Sequence, residues 1–212
     1  MKMFRFVCNS YLVNSYLLVS DRKTAILIDP AYGNQEESEM LKKFVKENYI
    51  RILTVIATHT HADHIMGVKR VMDIFPDASF LMHHEGLFFY HMANDHSVIM
   101  GFEKQEFPSP SQFVRDGEIV KVSDIQLEVL VTPGHAPGSI CLYNKKDNLL
   151  FTGDVLFRES IGRTDMWGGS LNTLKKSIFE KLFTLPPETV VLPGHGDQTT
   201  IDYEQKHNPF LN

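Results

Sequence analysis

Between positions 58 and 67 the chain reads Thr58-His59-Thr60-His61-Ala62-Asp63-His64-Ile65-Met66-Gly67, with three histidines and an aspartate inside six positions. Imidazole nitrogens and carboxylate oxygens are the donors that zinc, iron and manganese take up. His59 and His61 are two apart, so an extended strand end throws both to one side, whereas a helix sets them on nearly opposite faces. Asp63 and His64 are adjacent and diverge unless the backbone turns. A turn into a helix is expected, because Ile65, Val68, Met72 and Phe75 follow at helical spacing. The chemistry on offer is metal coordination, and the stretch reads as one half of a two-metal site. The plain alternative is a polar loop whose histidines satisfy one another's hydrogen bonds. A lone His-x-His would not separate the two, but three histidines and a carboxylate after a strand favour metal.

The elements that must position these donors are legible from apolar patterning. Residues 3–8, 12–19 and 24–28 read as three short strands, the third stopped by Asp29-Pro30. Asp29 reads as a turn former at a strand end, with a supporting role at the site as the alternative. Asn34 with Glu37 forms an N-cap signature, and Met40, Leu41, Phe44 and Val45 give an apolar stripe. That helix joins strand 24–28 to a strand at 52–57 in a βαβ unit. A strand at 79–83 ends in His83-His84, a pair that reads as structural. A helix is expected over Leu87 to Met92. The rest of the stretch to Val114, rich in aromatic residues and proline, reads as a long excursion at the edge of a cleft. A hairpin (118–122, 125–131), strands at 139–143 and 148–152, a helix capped by Ser170 with Leu171, Leu174, Ile178 and Leu182 inward, and a last strand at 189–192 complete the chain. Four strands thus run into candidate donors: His59-x-His61, Pro133-Gly134-His135, Gly153-Asp154 and Pro193-Gly194-His195. In each Pro-Gly-His, proline ends the ladder, glycine permits an unusual backbone angle or a close approach, and histidine is left at the rim.

Length, charge and cysteine usage bound the rest. A chain of 212 residues is expected to form one domain with an ample core. A net charge of −5 gives no footprint for a polyanion, which argues against nucleic acid. Cys8 and Cys141 sit in apolar runs and read as buried free thiols. No uninterrupted apolar segment suits a signal peptide or a membrane span, so a cytoplasmic enzyme is the expectation.

These motifs, in this order and over essentially the whole chain, resemble the metallo-β-lactamase superfamily. Gly153-Asp154-Val155-Leu156-Phe157, Ser160-Ile161-Gly162-Arg163-Thr164-Asp165 and the tail from Pro193-Gly194-His195-Gly196-Asp197 through Asn208-Pro209-Phe210 are similar to its glyoxalase II branch, in particular the short single-domain bacterial hydroxyacylglutathione hydrolase type. The resemblance implies an α/β fold, an αββα four-layer sandwich over 1–212 without an appended C-terminal helical glutathione-binding domain. It implies two divalent metal ions, zinc first, with iron and manganese also suited to the ligands. His59, His61 and His135 would hold one, Asp63, His64 and His195 the other, and Asp154 would bridge. Several true β-lactamases of the superfamily carry cysteine at that position, so Asp154 counts against antibiotic hydrolysis. Where larger glyoxalase II enzymes often have lysine followed two positions later by tyrosine, this chain has Arg163 and Asp165. Arg163 is a candidate contact to a substrate carboxylate or, equally, a loop-ordering partner for Asp165, and Phe157 is the second candidate substrate contact.

The implied reaction is hydrolysis of a small-molecule hydroxyacyl thioester, such as S-lactoylglutathione, by a metal-bridging hydroxide, with Asp63 orienting the nucleophile. Coordination lowers the pKa of water from 15.7 to roughly 7. At about 1.36 kcal/mol per unit that is on the order of 11–12 kcal/mol, more than a side-chain base offers. The alternative is an oxidoreductase like the persulfide dioxygenases, with one iron held by His59, His135 and Asp154. Against it, Pro193-Gly194-His195-Gly196 keeps the hydrolase-like form, whereas those relatives typically carry alanine in this stretch, with an aspartate and a tyrosine after the histidine.

Overall fold

The computed structural model describes residues 1–211. The first sheet contains, in spatial order, β1 (Lys2–Cys8), β2 (Val13–Val19), β3 (Thr24–Ile28), β4 (Arg51–Ile56), β5 (Ser79–His83) and β6 (Gln112–Val114). The helices α1 (Gln35–Glu47), α2 (Ala62–Ile65), α3 (Val68–Ile74) and α4 (Leu87–Ile99) fall between its strands in the chain. The second sheet begins with β7 (Ile119–Val122), β8 (Ile125–Val131), β9 (Ile140–Asn144) and β10 (Leu149–Gly153). A small hairpin of β11 (Leu156–Phe157) and β12 (Ser160–Ile161) and helix α5 (Leu171–Ser177) follow. The second sheet is completed by β13 (Val190–Pro193) and β14 (Thr199–Thr200), and α6 (Ile201–His207) comes last.

Strand periodicity explains the layering. Alternate residues point to opposite faces. Along β2 and β3, Leu17, Val19, Ala25 and Leu27 enter the core beneath α1, α3 and α4, while Tyr16, Leu18, Ile26 and Ile28 enter the core between the sheets. On β10 the same alternation sends Phe151 between the sheets and Leu150 into a third core under α5 and α6. Both faces of the central strands are therefore apolar, and the chain forms the expected αββα sandwich.

Several expectations need correction. Met40 is 58% exposed, and Ser38 is buried beside Leu41 and Val45 instead. Leu171 is 46% exposed, because α5 meets the second sheet only from Leu174 onward. The segment after His64 is two short helices broken at Gly67, whose N–H donates to the Pro30 carbonyl at 2.7 Å. Helix α4 continues well past Met92 to Ile99, and the excursion then closes as β6, paired parallel to β5. The hairpin β11–β12, strand β14 and α6 had no expectation attached. Cys8 and Cys141 are buried and free; burial pushes the Cys141 thiol up to about 12.

Phe151 is fully buried between the sheets, edge-on to Tyr16 with ring centroids 5.1 Å apart. Phe151→Ala should cost about 3–5 kcal/mol, read as a lower denaturant midpoint at unchanged slope.

Candidate metal centre

The strand ends that carry the candidate donors share one rim of the sandwich for a topological reason. β3 and β4 run parallel, as do β10 and β13. β8 and β10 are both antiparallel to β9, so they too point the same way. The loops after β4, β8, β10 and β13 therefore emerge together, carrying His59 and His61, His135, Asp154, and His195. Asp63 and His64 ride on α2, which begins directly after His61. His61 itself is extended, at φ −63 and ψ 146. Two hydrogen bonds lock the rim: Ile140 N–H donates to the Thr58 carbonyl across the sheets, and Gly194 N–H to the Gly153 carbonyl, both at 2.8 Å.

The two Pro-Gly-His tripeptides use glycine differently. Gly134 has φ +133, and an added Cβ would meet the backbone of Leu174 at 2.3 Å. Gly194 is there for close approach, since a Cβ would fall 2.4 Å from Asp154 Oδ1 and 2.6 Å from His64 Cε1.

All seven candidate donors converge. His59, His61 and His135 form one group, Asp63, His64 and His195 a second, and His59, His64 and Asp154 a third that overlaps both; within each group the donor atoms lie within 4.8 Å of one another. The third group gives Asp154 the middle position. His59 Nε2, His61 Nε2 and Asp154 Oδ1 are buried without a hydrogen-bond partner. Leaving such atoms unsatisfied is costly, and divalent cations are the natural acceptors of their lone pairs. On this observation the residues fit a metal ion.

The electrostatics agree. Burial, together with His64, His61 and His135, holds His59 far below the ordinary histidine range, and burial with His135 takes His61 to about 3. Both imidazoles are thus neutral, the form that ligates. Burial also lowers His135, against the pull of Asp154. Burial works against ionisation of Asp154 and Asp63, but the charge of His64 prevails and both are held below the usual carboxylate range. In turn, His64 and His195 are raised despite burial: Asp154 and Asp63 act on His64, and a hydrogen bond to Asp63 with the Asp154 charge acts on His195. Two ionised carboxylates thus draw positive charge to this spot.

The supporting groups were only partly foreseen. The far nitrogen of His135 donates to the Arg163 carbonyl at 2.8 Å, and that of His195 to the Tyr11 carbonyl at 3.0 Å. Asp29 is the shared support. Its Oδ1 accepts from Thr58 N–H at 2.7 Å, and its Oδ2 accepts from the Thr58 hydroxyl at 2.7 Å and from His64 Nδ1 at 3.0 Å. Thr58 Oγ1 in turn accepts from His59 Nδ1 at 3.2 Å. Asp29 is 1% exposed and sits at φ 50, a conformation that aspartate tolerates better than most residues. Sequence reasoning favoured a simple turn here; its position at a strand end beside a loop was the available signal. Asn14 and Tyr16 were missed altogether: the Asn14 amide and the Tyr16 hydroxyl donate to the Pro193 carbonyl at 3.0 and 2.7 Å, steadying the His195 loop. His83 and His84 lie outside the donor groups, their rings 4.5 Å apart and tilted by 44°, with His83 Nδ1 accepting from Glu85 N–H.

Of the candidate substrate contacts, Phe157 has its ring 6.3 Å from that of His195. Arg163 forms a two-pronged hydrogen-bonded pair with Asp165 at 3.0 and 2.9 Å. Both line a cavity of about 810 Å³ whose floor includes His61, Asp63, His135, Asp154 and His195.

Comparison with known proteins follows the same lines. Residues 8–195 match the family described as the metallo-beta-lactamase superfamily. The chain belongs to the metallo-β-lactamase superfamily. It is 37% identical to a probable metallo-hydrolase, YqgX, of Bacillus subtilis over 100% of this chain and 98% of that protein. It is 33% identical to the hydroxyacylglutathione hydrolase GloC of Haemophilus influenzae over 94% and 92%. Among solved structures, the BLEG-1 B3 metallo-beta-lactamase superposes with a TM-score of 0.87 at 34% identity, covering 100% of both chains. TTHA1623 in a di-iron-bound form gives 0.86 at 32%, covering 98% of this chain and 100% of that one. ETHE1 of Myxococcus xanthus gives 0.82 at 29%, covering 99% and 84%.

Asp29→Asn replaces a carboxylate oxygen that both histidine supports use with an amide nitrogen that cannot accept. It should lower zinc affinity about 10–100-fold, measured by competition with a chromophoric chelator, at an unchanged far-UV spectrum.

Proposed function

We propose that residues 1–212 work as one domain, a dinuclear metallohydrolase acting on a hydroxyacyl thioester of the S-lactoylglutathione kind. The observation that carries this reading is the overlap of the donor groups, in which one carboxylate, Asp154, lies between two sets of ligands, with three buried donor atoms left unsatisfied by protein. His59, His61 and His135 would hold one divalent ion, Asp63, His64 and His195 the other, and Asp154 both. Histidine and carboxylate donors suit zinc first, and iron or manganese as well. The likeness to GloC of Haemophilus influenzae supports the thioester class.

When bound, the metals would acidify water and polarise the thioester carbonyl. The protein's own groups would do the rest. Asp63, ionised, accepts a hydrogen bond from the attacking water and aims it at the carbonyl carbon. Phe157 shields that water from one side. Asp29 and Thr58 hold His59 and His64 so that neither ring turns away during turnover. Nothing in this scheme needs a protein nucleophile, and both cysteines are buried with raised pKa values.

The second reading is a mononuclear-iron, persulfide dioxygenase-like oxidoreductase using His59, His135 and Asp154; the likeness to ETHE1 of Myxococcus xanthus favours it. The convergence of Asp63, His64 and His195 argues for the first, because one iron leaves that group without a role.

Protein loaded separately with zinc, iron and manganese should hydrolyse S-lactoylglutathione or a related thioester and lose activity to a chelator. Asp154→Asn should lower kcat at least 100-fold and reduce metal content below two per chain. Oxygen uptake with a glutathione persulfide, at one iron per chain and without thioester loss, would reverse the ranking. A β-lactam arm is included because of the likeness to BLEG-1; β-lactam turnover exceeding thioester turnover would overturn both readings.

A further inference from the structure

The donor cluster forms only the floor of its cavity, and the walls are mostly apolar, with Tyr11, His96, Ser160 and Arg163 as their polar side chains. From His61 an aromatic series leads outward. The Phe89 ring meets His61 edge-on at 5.0 Å and Trp167 edge-on at 5.5 Å, and Trp167 stacks on Phe88 at 4.2 Å with the planes 28° apart. Phe89 is buried, whereas Trp167 is 61% and Phe88 48% exposed. Ile99 and Met100 from the end of α4 extend the same wall, and Ile99 is almost wholly exposed. Large apolar side chains left open to water beside a reactive centre mark a binding surface.

The charges on these walls are equally informative. Among the described residues lining the cavity, Arg163 is the one lysine or arginine. Its guanidinium fork is already occupied by both oxygens of Asp165. Glutathione carries two carboxylates at neutral pH, and a buried carboxylate needs a cation or several donors to replace its water. Here the Nε–Nη2 edge of the single guanidinium is paired with Asp165, whose charge offsets it, and only the Nη1 side is left to face a carboxylate.

We propose that this cavity selects a thioester whose thiol carrier is uncharged and apolar, aromatic or alkyl, lying along Phe89 and Trp167, and that Trp167 is the specificity-determining residue. The proposal rests on the thioester reading above and names its carrier. The acyl carbonyl is placed at the donor cluster and the carrier along the wall, so the carrier's contacts are with rings and aliphatic side chains. Gly168 and Gly169 seat the tryptophan: an added Cβ would meet Pro137 at 2.6 Å at the first and the Thr164 carbonyl at 2.5 Å at the second.

Trp167 is the single tryptophan of the chain, so its fluorescence reports on the wall directly. Metal-loaded protein is titrated with benzyl methyl sulfide and with S-methylglutathione, which differ in the carrier and cannot be hydrolysed. The sulfide should change Trp167 emission saturably and bind at least tenfold more tightly, about 1.4 kcal/mol. In turnover, S-lactoyl benzyl thiol should exceed S-lactoylglutathione at least tenfold in kcat/KM. Trp167→Ala should raise the KM for the benzyl thioester about tenfold at unchanged metal content. Equal or tighter binding of S-methylglutathione, or an unmoved KM in Trp167→Ala, overturns the proposal. Tight sulfide binding without turnover of any thioester overturns the hydrolytic reading and supports the apolar preference; thioester turnover with glutathione preferred does the reverse.

Discussion

The buried carboxylate of Asp29 is the constraint on which the rim depends. A carboxylate this deep is tolerated only if its oxygens are hydrogen-bonded, and three donors meet that need: Thr58 N–H, the Thr58 hydroxyl and His64 Nδ1. Because Thr58 also accepts from His59, one carboxylate orients a histidine from each donor group. The two groups are therefore coupled through protein as well as through Asp154. The same demand accounts for the unusual backbone at Asp29, whose left-handed turn directs the side chain back over the end of β4.

The sandwich itself is a device for bringing strand ends together. Its central strands are apolar on both faces and pack into three cores, so their registers are strongly specified. Polar and ionisable groups are excluded from those cores and collect where the strands stop. Parallel pairing of β3 with β4 and of β10 with β13 then makes one rim carry Asp29, Thr58, His59, Asp154 and His195. What lies above that rim is less constrained. Helix α4 and the loop from Gly162 to Gly169 contribute rings and aliphatic groups to the cavity above the donors.

Particular residues show where sequence reasoning reached and where it stopped. The N-cap at Asn34, accepting from Glu37 N–H, was legible because it is a contact over three residues. So were the long strands, whose apolar runs have no other reading. Met40 belongs to the apolar stripe of α1 in the sequence and yet lies outward, since such a stripe can extend a residue wide of the buried face. Helix α4 was cut short because apolar residues surround it on most sides, which erases the period that marks a helix. β6 and β14 are two or three residues long and exist through pairing with a neighbour, which no local pattern encodes. For Arg163 the sequence left a substrate contact and a pairing with Asp165 open; the structure pairs them.

By itself, then, the sequence determined the candidate donors and that most of them follow strand ends, because residue type and short-range spacing are local properties. The layered fold was legible through the likeness of its motifs to a known superfamily, since strands apolar on both faces do not by themselves fix the layers. Only the tertiary structure decided that Asp29 supports both donor groups, that Asn14 and Tyr16 hold the His195 loop, and that α4 walls the cavity with rings. Each of these joins residues far apart in the chain, and such contacts exist only once parallel strands have set their ends side by side.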